Sequence, residues 1–336
     1  MGKYRLIVFG DDWDVYRAAY RDWIENPKIM YIHTFRPTGL RGLLQRVHFN
    51  PKLNKMIKLP GKRCWNGSYL QGVADDKICF LITDHWMRME GGIELLPYLR
   101  KNYPEARIVC FAQDLIATIR DHYLCRPVDV DYLKKYADLV ISYDKEDSLR
   151  YGISYHPTVF SPIHLEKEML GNRYDLFFLG RDKGRLNHLV NICRAASERG
   201  LKCHFVMLEV PCNERIECEG MVYSDVPIPY MDNLRYCAES RCVVEMLQHH
   251  ASSPTYRTWE AISLNKKLMT NSERIKDSEV YDERYISVFH DESDFDWDFV
   301  KRTDAFQGGN PYQELIRPEA LVKFIERELN IKIDRA

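Results

Sequence analysis

No stretch of this sequence approaches 18 uninterrupted apolar residues, so a membrane-spanning helix is not expected. None of its ten cysteines is spaced C-x-x-C, and no cysteine–histidine set has the spacing of zinc ligands. Cys79, Cys110 and Cys242 instead lie inside apolar runs, where a thiol behaves as a small hydrophobe. That usage fits a reducing cytoplasm rather than a disulfide framework. The opening MGKYRLIVFGDDWD has neither the long apolar region nor the cleavage site of a secretory leader. A glycine-rich dinucleotide fingerprint is missing too. The first strand-to-helix turn is Gly10-Asp11-Asp12-Trp13, acidic where a pyrophosphate needs donors, which argues against a dehydrogenase. No internal repeat is visible.

One absence is local. Residues 26–74 contain no Asp or Glu but nine Lys or Arg, interleaved with Leu, Phe, Met and Trp, in a chain whose net charge is -1. The stretch reads either as a solvated basic face or as a face for an anionic membrane surface or lipid-phosphate acceptor. No nucleic-acid-binding module accompanies the charge, so nucleic acid is not expected as a partner.

What is present is a folded chain of 336 residues, 45% hydrophobic, long enough for two domains. Apolar strand-like runs at residues 4–10, 77–83, 107–112 and 138–143 alternate with helical segments in the first half. Runs at 174–179, 202–208, 221–223, 242–247 and 267–270 do so in the second. This alternation predicts an α/β fold of mostly parallel sheets covered by helices, arranged as two Rossmann-like domains facing a central cleft. The expected boundaries are an N-terminal domain over 1–160, a linker over 161–173, a C-terminal domain over 174–310 and a closing helix over 311–336. Residues 151–160 are expected to leave the sheet, Asp11 to Asp14 to cap the first helix, and Gly91 and Gly92 to precede a helix over 93–102.

Residues 241–271 are the centre of the second half. A strand, a polar loop, a helix and a second strand make one β-α-β unit, with Ser253 as helix cap and Pro254 in the first turn. Ligands of such sheets collect at the carboxyl ends of the strands. Gln248, Thr255, Arg257 and Glu260 lie there. Arg257 and Glu260, three apart, project from one side of the helix and read equally well as an intrahelical ion pair. Upstream, Gly180-Arg181-Asp182-Lys183-Gly184-Arg185 ends a strand and opens a helix. Its glycines let the backbone approach a ligand, and its cations and helix N-terminus favour a diphosphate.

Three strings, FFLGRDKGR, the Ile228-Pro229-Tyr230 loop and TYRTWEAISLN, resemble in their order the donor half of GT-B glycosyltransferases. The likeness is to bacterial enzymes of capsular and lipopolysaccharide-type surface polysaccharide biosynthesis. It covers roughly residues 174–271, and in the first half only the element order and strings such as SYDKED. The resemblance implies that Glu260, followed by Ala261, holds the ribose hydroxyls of a nucleotide-sugar. It implies that Gly180, Arg181, Lys183 and Arg185 cradle the diphosphate, and that Tyr230 either stacks beside the base or anchors its loop. The chain departs from the pattern at Ser252, where many retaining members carry a second glutamate, and at Asn265, where a glycine is common.

On this reading the expected activity is transfer from a nucleotide-sugar to a lipid-linked or saccharide acceptor, in the cytoplasm at the inner membrane face. No separate cofactor is expected. Inversion would require a base from the first domain. Asp12, Asp84, His85 and Asp114 qualify by position, with Asp84 and His85 the preferred catalytic pair. The D-x-D strings at Asp129/Asp131 and Asp294/Asp296/Asp298 read as helix caps, so no essential metal is expected. A noncatalytic nucleotide-sugar binder or scaffold on the same fold is the competing class, and a nucleotide-sugar epimerase is a third.

Overall fold

The computed structural model describes residues 2–33, 38–57, 59–61, 77–88, 90–117, 129–163, 171–247, 254–302 and 309–334, together with positions 65, 70, 73, 119 and 165. The chain divides into two compact units, one made of Met1–Val159 with Arg317–Ala336, the other of Phe160–Ile316.

In the first unit, apolar runs rich in Ile, Val, Leu and Phe give strands covered on both faces. Its elements are β1 (Arg5–Phe9), α1 (Asp14–Ala19), α2 (Arg21–Ile24), β2 (Met30–Ile32), α3 (Gly39–His48), α4 (Pro51–Met56), β3 (Ile78–Thr83), α5 (Asp84–Arg88), α6 (Glu90–Asn102), β4 (Arg107–Ala112), α7 (Val130–Tyr136), β5 (Leu139–Ser142), α8 (Lys145–Tyr151) and β6 (Ser154–Tyr155). The sheet runs β2-β1-β3-β4-β5-β6 and every pairing is parallel. All six residues of β3 are buried, and a core of Phe9, Phe80, Ile82, Leu99 and Ile108 packs under the helices.

The second unit contains β7 (Tyr174–Arg181), α9 (Leu186–Glu198), β8 (Cys203–Leu208), β9 (Met221–Ser224), α10 (Tyr230–Ala238), β10 (Ser240–Glu245), α11 (Tyr256–Ser263), β11 (Lys267–Thr270), β12 (Ile286–Val288), α12 (Trp297–Lys301) and α13 (Gln313–Ile316). Its sheet, also parallel throughout, runs β12-β11-β10-β7-β8-β9. The last helix, α14 (Pro318–Leu329), belongs to the first unit. Two six-stranded parallel sheets with flanking helices are the two Rossmann-like domains of a GT-B type fold.

Several local expectations are corrected. Residues 151–160 do not simply leave the sheet, because Ser154 and Tyr155 pair with Ile141 and Ser142 as its edge strand. Gly91 and Gly92 lie inside α6. Trp13 occupies the cap position of α1 and makes no side-chain cap bond, while Asp12 is engaged by Arg17 at 2.6 Å. The cap of α11 is Thr255, whose hydroxyl accepts from the Arg257 amide. Ser253 lies outside the described residues.

Candidate functional site

Chain order in the second sheet reverses between β7 and its neighbour β10, because β8 and β9 extend one way and β11 and β12 the other. Such a switch point leaves a crevice at the carboxyl ends of the two strands. The segments that follow those strands supply most of the candidate residues.

At the end of β7, Gly180 leaves room for two guanidinium groups. A Cβ there would stand 2.8 Å from Nη2 of Arg257 and 3.2 Å from Nη2 of Arg185. Both guanidinium groups lie over the Phe178 ring, 4.9 Å from its centroid for Arg257 and 5.1 Å for Arg185. Arg185 is buried and donates to the carbonyls of Arg181, Asp182 and Met246, which ties the β7–α9 turn to the end of β10. Burial, and then the nearby Arg257, pull its pKa down to about 10, so it remains cationic at neutral pH. Arg257 is half-buried and donates one side-chain bond, to the Leu179 carbonyl.

The turn itself has two left-handed residues, Lys183 at φ 48° and Gly184 at φ 81°. Lys183 is exposed and has no hydrogen bond or ion pair among the described residues, whereas Arg181 pairs with Glu209 at 2.8 Å. The Asp182 carboxylate accepts from the amides of Arg185 and Leu186 at 2.8 and 2.7 Å. The amides of Arg185 and Leu186 are therefore satisfied from within the chain. Side chains, above all Lys183 and Arg257, add cationic charge beside this turn.

At the end of β10 stands a residue that the sequence reading missed. Glu245 is fully buried and accepts at one oxygen from the Thr255 amide and hydroxyl, at 2.8 and 2.6 Å. Its other oxygen accepts from the Thr270 hydroxyl at 2.7 Å, and the Thr258 hydroxyl lies within 3.2 Å of both. The signal available was a lone carboxylate in the apolar run CVVEML, followed by threonines at 255, 258 and 270. Thr255 thus serves as cap and as a donor to Glu245.

One turn along α11, Glu260 is also buried. Arg257 and Glu260 do not pair with each other. Glu260 accepts from the Tyr230 hydroxyl at 2.7 Å. Burial raises the Glu260 carboxyl above its usual range, against the lowering effects of Tyr230, Arg257 and Asn233. Tyr230, the first residue of α10, is held far above its usual value by burial and by the Glu260 charge. Its hydroxyl fastens the α10 start to α11. Gln248 lies outside the described residues.

In the first unit, Asp84 is buried where β3 passes into α5, and His85 follows it in that helix, its side chain outside the described residues. Asp114 accepts from the Leu115 amide. Tyr31 covers Gly10 and donates to the Asp11 carbonyl at 3.0 Å, which fills the end of β1. Asp129 and Asp296 cap α7 and α12. Asp294, expected to act likewise, instead binds the His290 amide and ring.

No protein-family model matches the chain, and no curated protein sequence does. Solved structures do. A Listeria monocytogenes protein assigned as a UDP-N-acetylglucosamine 2-epimerase aligns with TM-score 0.55 and 12% identity, over 99% of this chain and 98% of that one. A UDP-N-acetylglucosamine 2-epimerase aligns at 0.52 with 13% identity over all of both chains. A UDP-forming trehalose-phosphate synthase of Burkholderia xenovorans aligns at 0.52 with 9% identity, over 89% of this chain and 90% of that one. At these identities the likeness is one of fold alone, the two-domain GT-B type.

Proposed function

We propose that the chain transfers a sugar from a nucleoside diphosphate-sugar, with UDP-sugars the first donor class to test, to a lipid-linked or saccharide acceptor in surface polysaccharide assembly. One observation carries the reading. At the switch point between β7 and β10, two cations, Lys183 and Arg257, lie by the turn that follows β7, whose Gly184 has open space where a side chain would stand. Glu260 lies three residues beyond Arg257 on the same helix. Departure of a nucleoside diphosphate develops charge on its phosphates, which preorganised cations stabilise. Glu260 would accept the ribose hydroxyls on the oxygen it shares with Tyr230 or on the one beside it. The fold neighbours, named for UDP-dependent synthesis and UDP-sugar epimerisation, support uridine as the base.

For inversion, Asp84 and His85 are the proposed base pair for the acceptor hydroxyl. The GT-B fold-mates named as epimerases favour one second reading, turnover of a nucleotide-sugar without an acceptor. A binder without catalysis would show affinity and no turnover.

Thermal unfolding across nucleoside diphosphates tests the site. A ligand at about a hundred times its Kd stabilises by about 2.7 kcal/mol. That corresponds to a rise of roughly 5–10 °C in a unit of this size. UDP should give such a shift and uridine a much smaller one; absence of a shift with any nucleoside diphosphate refutes the site. Loss of the UDP-sugar only when acceptor is added then separates transfer from epimerisation.

The cations can be resolved singly. Lys183→Gly, chosen because glycine relieves the left-handed backbone, and Arg257→Ala should each weaken UDP about tenfold to a hundredfold while leaving uridine unchanged. Arg181→Ala, whose partner is Glu209, should matter less. Calorimetric titration decides, and equal losses for nucleotide and nucleoside would make these side chains incidental to phosphate.

A further inference from the structure

Helix α3 turns its apolar stripe outward. Leu40, Leu43, Leu44 and Val47 recur at the spacing of one helix face, and they are 73%, 56%, 55% and 49% exposed. Met56, at the end of α4, is 84% exposed, and Ile57 beside it is exposed as well. Gly42, on the other side of α3, is buried. A soluble helix ordinarily buries such a stripe, and a contiguous apolar patch left in water marks an interaction surface.

The exposure is built in. Asn50 caps α4, and the buried Asn54 side chain donates to the carbonyls of His48 and Asn50 at 2.8 Å. The His48 ring accepts from the Trp65 indole at 2.8 Å and bonds the Pro60 carbonyl at 3.1 Å. These bonds hold α3 and α4 as one hairpin with the stripe outside.

Charge selects the occupant. At about 100° per residue, Arg41 and Arg46 fall on either side of the stripe, and both are exposed. The hairpin lies in the 49-residue stretch with nine Lys or Arg and no acid. Pairing two copies of this face about a twofold axis would set cations against cations. A leaflet bearing anionic headgroups is complementary in charge to the arginines and in polarity to the leucines, since an interfacial helix buries its apolar face at the acyl boundary while its basic flanks stay among the headgroups. No helix of the described residues is long and apolar enough to cross a membrane, so the contact would be peripheral.

We propose that the α3–α4 hairpin docks the protein on an anionic lipid surface, with Leu40, Leu43, Leu44 and Val47 inserted and Arg41 and Arg46 on phosphate. The evidence for this surface is independent of the nucleotide site; only its purpose, access to a lipid-linked acceptor, rests on the proposed reaction.

Sedimentation of the full chain with vesicles tests it. Wild type should pellet with phosphatidylcholine vesicles containing phosphatidylglycerol at low salt, bind phosphatidylcholine alone at least about tenfold more weakly, and come off at 1 M salt, where screening acts within about 3 Å. Leu43→Ser/Leu44→Ser/Val47→Ser should reduce binding to the anionic vesicles about tenfold or more. Because the substituted side chains are exposed, its circular dichroism and UDP response should match wild type. Arg41→Gln/Arg46→Gln should lose the preference for anionic lipid. Wild type remaining in the supernatant, or a serine variant that pellets like wild type, overturns the proposal. So does a wild-type dimer that the serine variant dissociates without any vesicle binding, which would assign the stripe to a second copy. An unchanged UDP shift in the serine variant separates failure here from failure of the nucleotide site.

Discussion

Glu245→Ala is expected to lower the melting temperature by roughly 6–12 °C, the largest stability loss of any single change near the site. The fully buried carboxylate satisfies a backbone amide and three threonine hydroxyls from α11 and β11. Removing it leaves donors facing a dry void. Each unsatisfied buried donor costs about 1–3 kcal/mol, and the cavity adds to that. Hydroxyls can rotate toward other acceptors, so a net loss of about 3 kcal/mol is the expectation rather than the full sum. Glu245→Gln, which keeps an acceptor oxygen for Thr255, should recover most of the loss. Because Thr255 caps the helix that carries Arg257 and Glu260, the alanine variant should also bind nucleotide more weakly. Differential scanning calorimetry is the measurement; an alanine variant melting within about 2 °C of wild type would show that the threonines need no carboxylate.

Glu260→Gln should separate stability from affinity in the opposite sense. Burial raises the folded-state pKa of this carboxyl above its ordinary value of about 4.3. Between the unfolded and the raised folded pKa, the native state therefore holds a proton that the unfolded chain has already released. Its contribution to stability is fully present below the unfolded pKa, is lost as pH climbs through the raised folded pKa, and stays lost at neutrality. Glutamine carries no charge to desolvate and keeps an oxygen for the Tyr230 hydroxyl. The variant should be at least as stable as wild type at pH 7, with a smaller decline in stability as pH rises above about 4.3. Nucleotide affinity should nonetheless fall tenfold to a hundredfold, since charge-assisted bonds to ribose are worth about 1.5–3 kcal/mol. Such an exchange of stability for binding is the mark of a functional residue. Unchanged calorimetric affinity for UDP in the glutamine variant would make Glu260 an ordinary core acid.

The long strands were legible because their chemistry is local. Runs such as ICFLIT and RIVCFA can only be buried on both faces, and the observed strands follow them closely. The short strands Met30–Ile32, Ser154–Tyr155 and Ile286–Val288 were not, because two or three residues at a sheet edge owe their extension to the partner strand rather than to their own pattern. The site divides in the same way. Gly180, Arg257 and Glu260 stood out by position at strand ends and by resemblance. Arg185 reads in sequence as one more cation of the diphosphate cradle, and only the fold brings Phe178 and the Met246 carbonyl to it. Glu245 reads as a flaw in an apolar run until three threonines, 10, 13 and 25 residues downstream, close on it.

The return of the last helix to the first unit has a consequence during synthesis. Helix α14 packs on β5, its Phe324 lies 5.3 Å from the His156 ring, and Ile333 bridges to Tyr4 beside β1. On the ribosome these partners wait while the whole of Phe160–Ile316 is made, roughly 8–30 s at about 5–20 residues per second. The second unit is continuous in the chain and can fold in that interval. The first is left with its β5 face and the Tyr4 backbone uncovered, so a nascent chain is most open to misassociation before its final helix emerges.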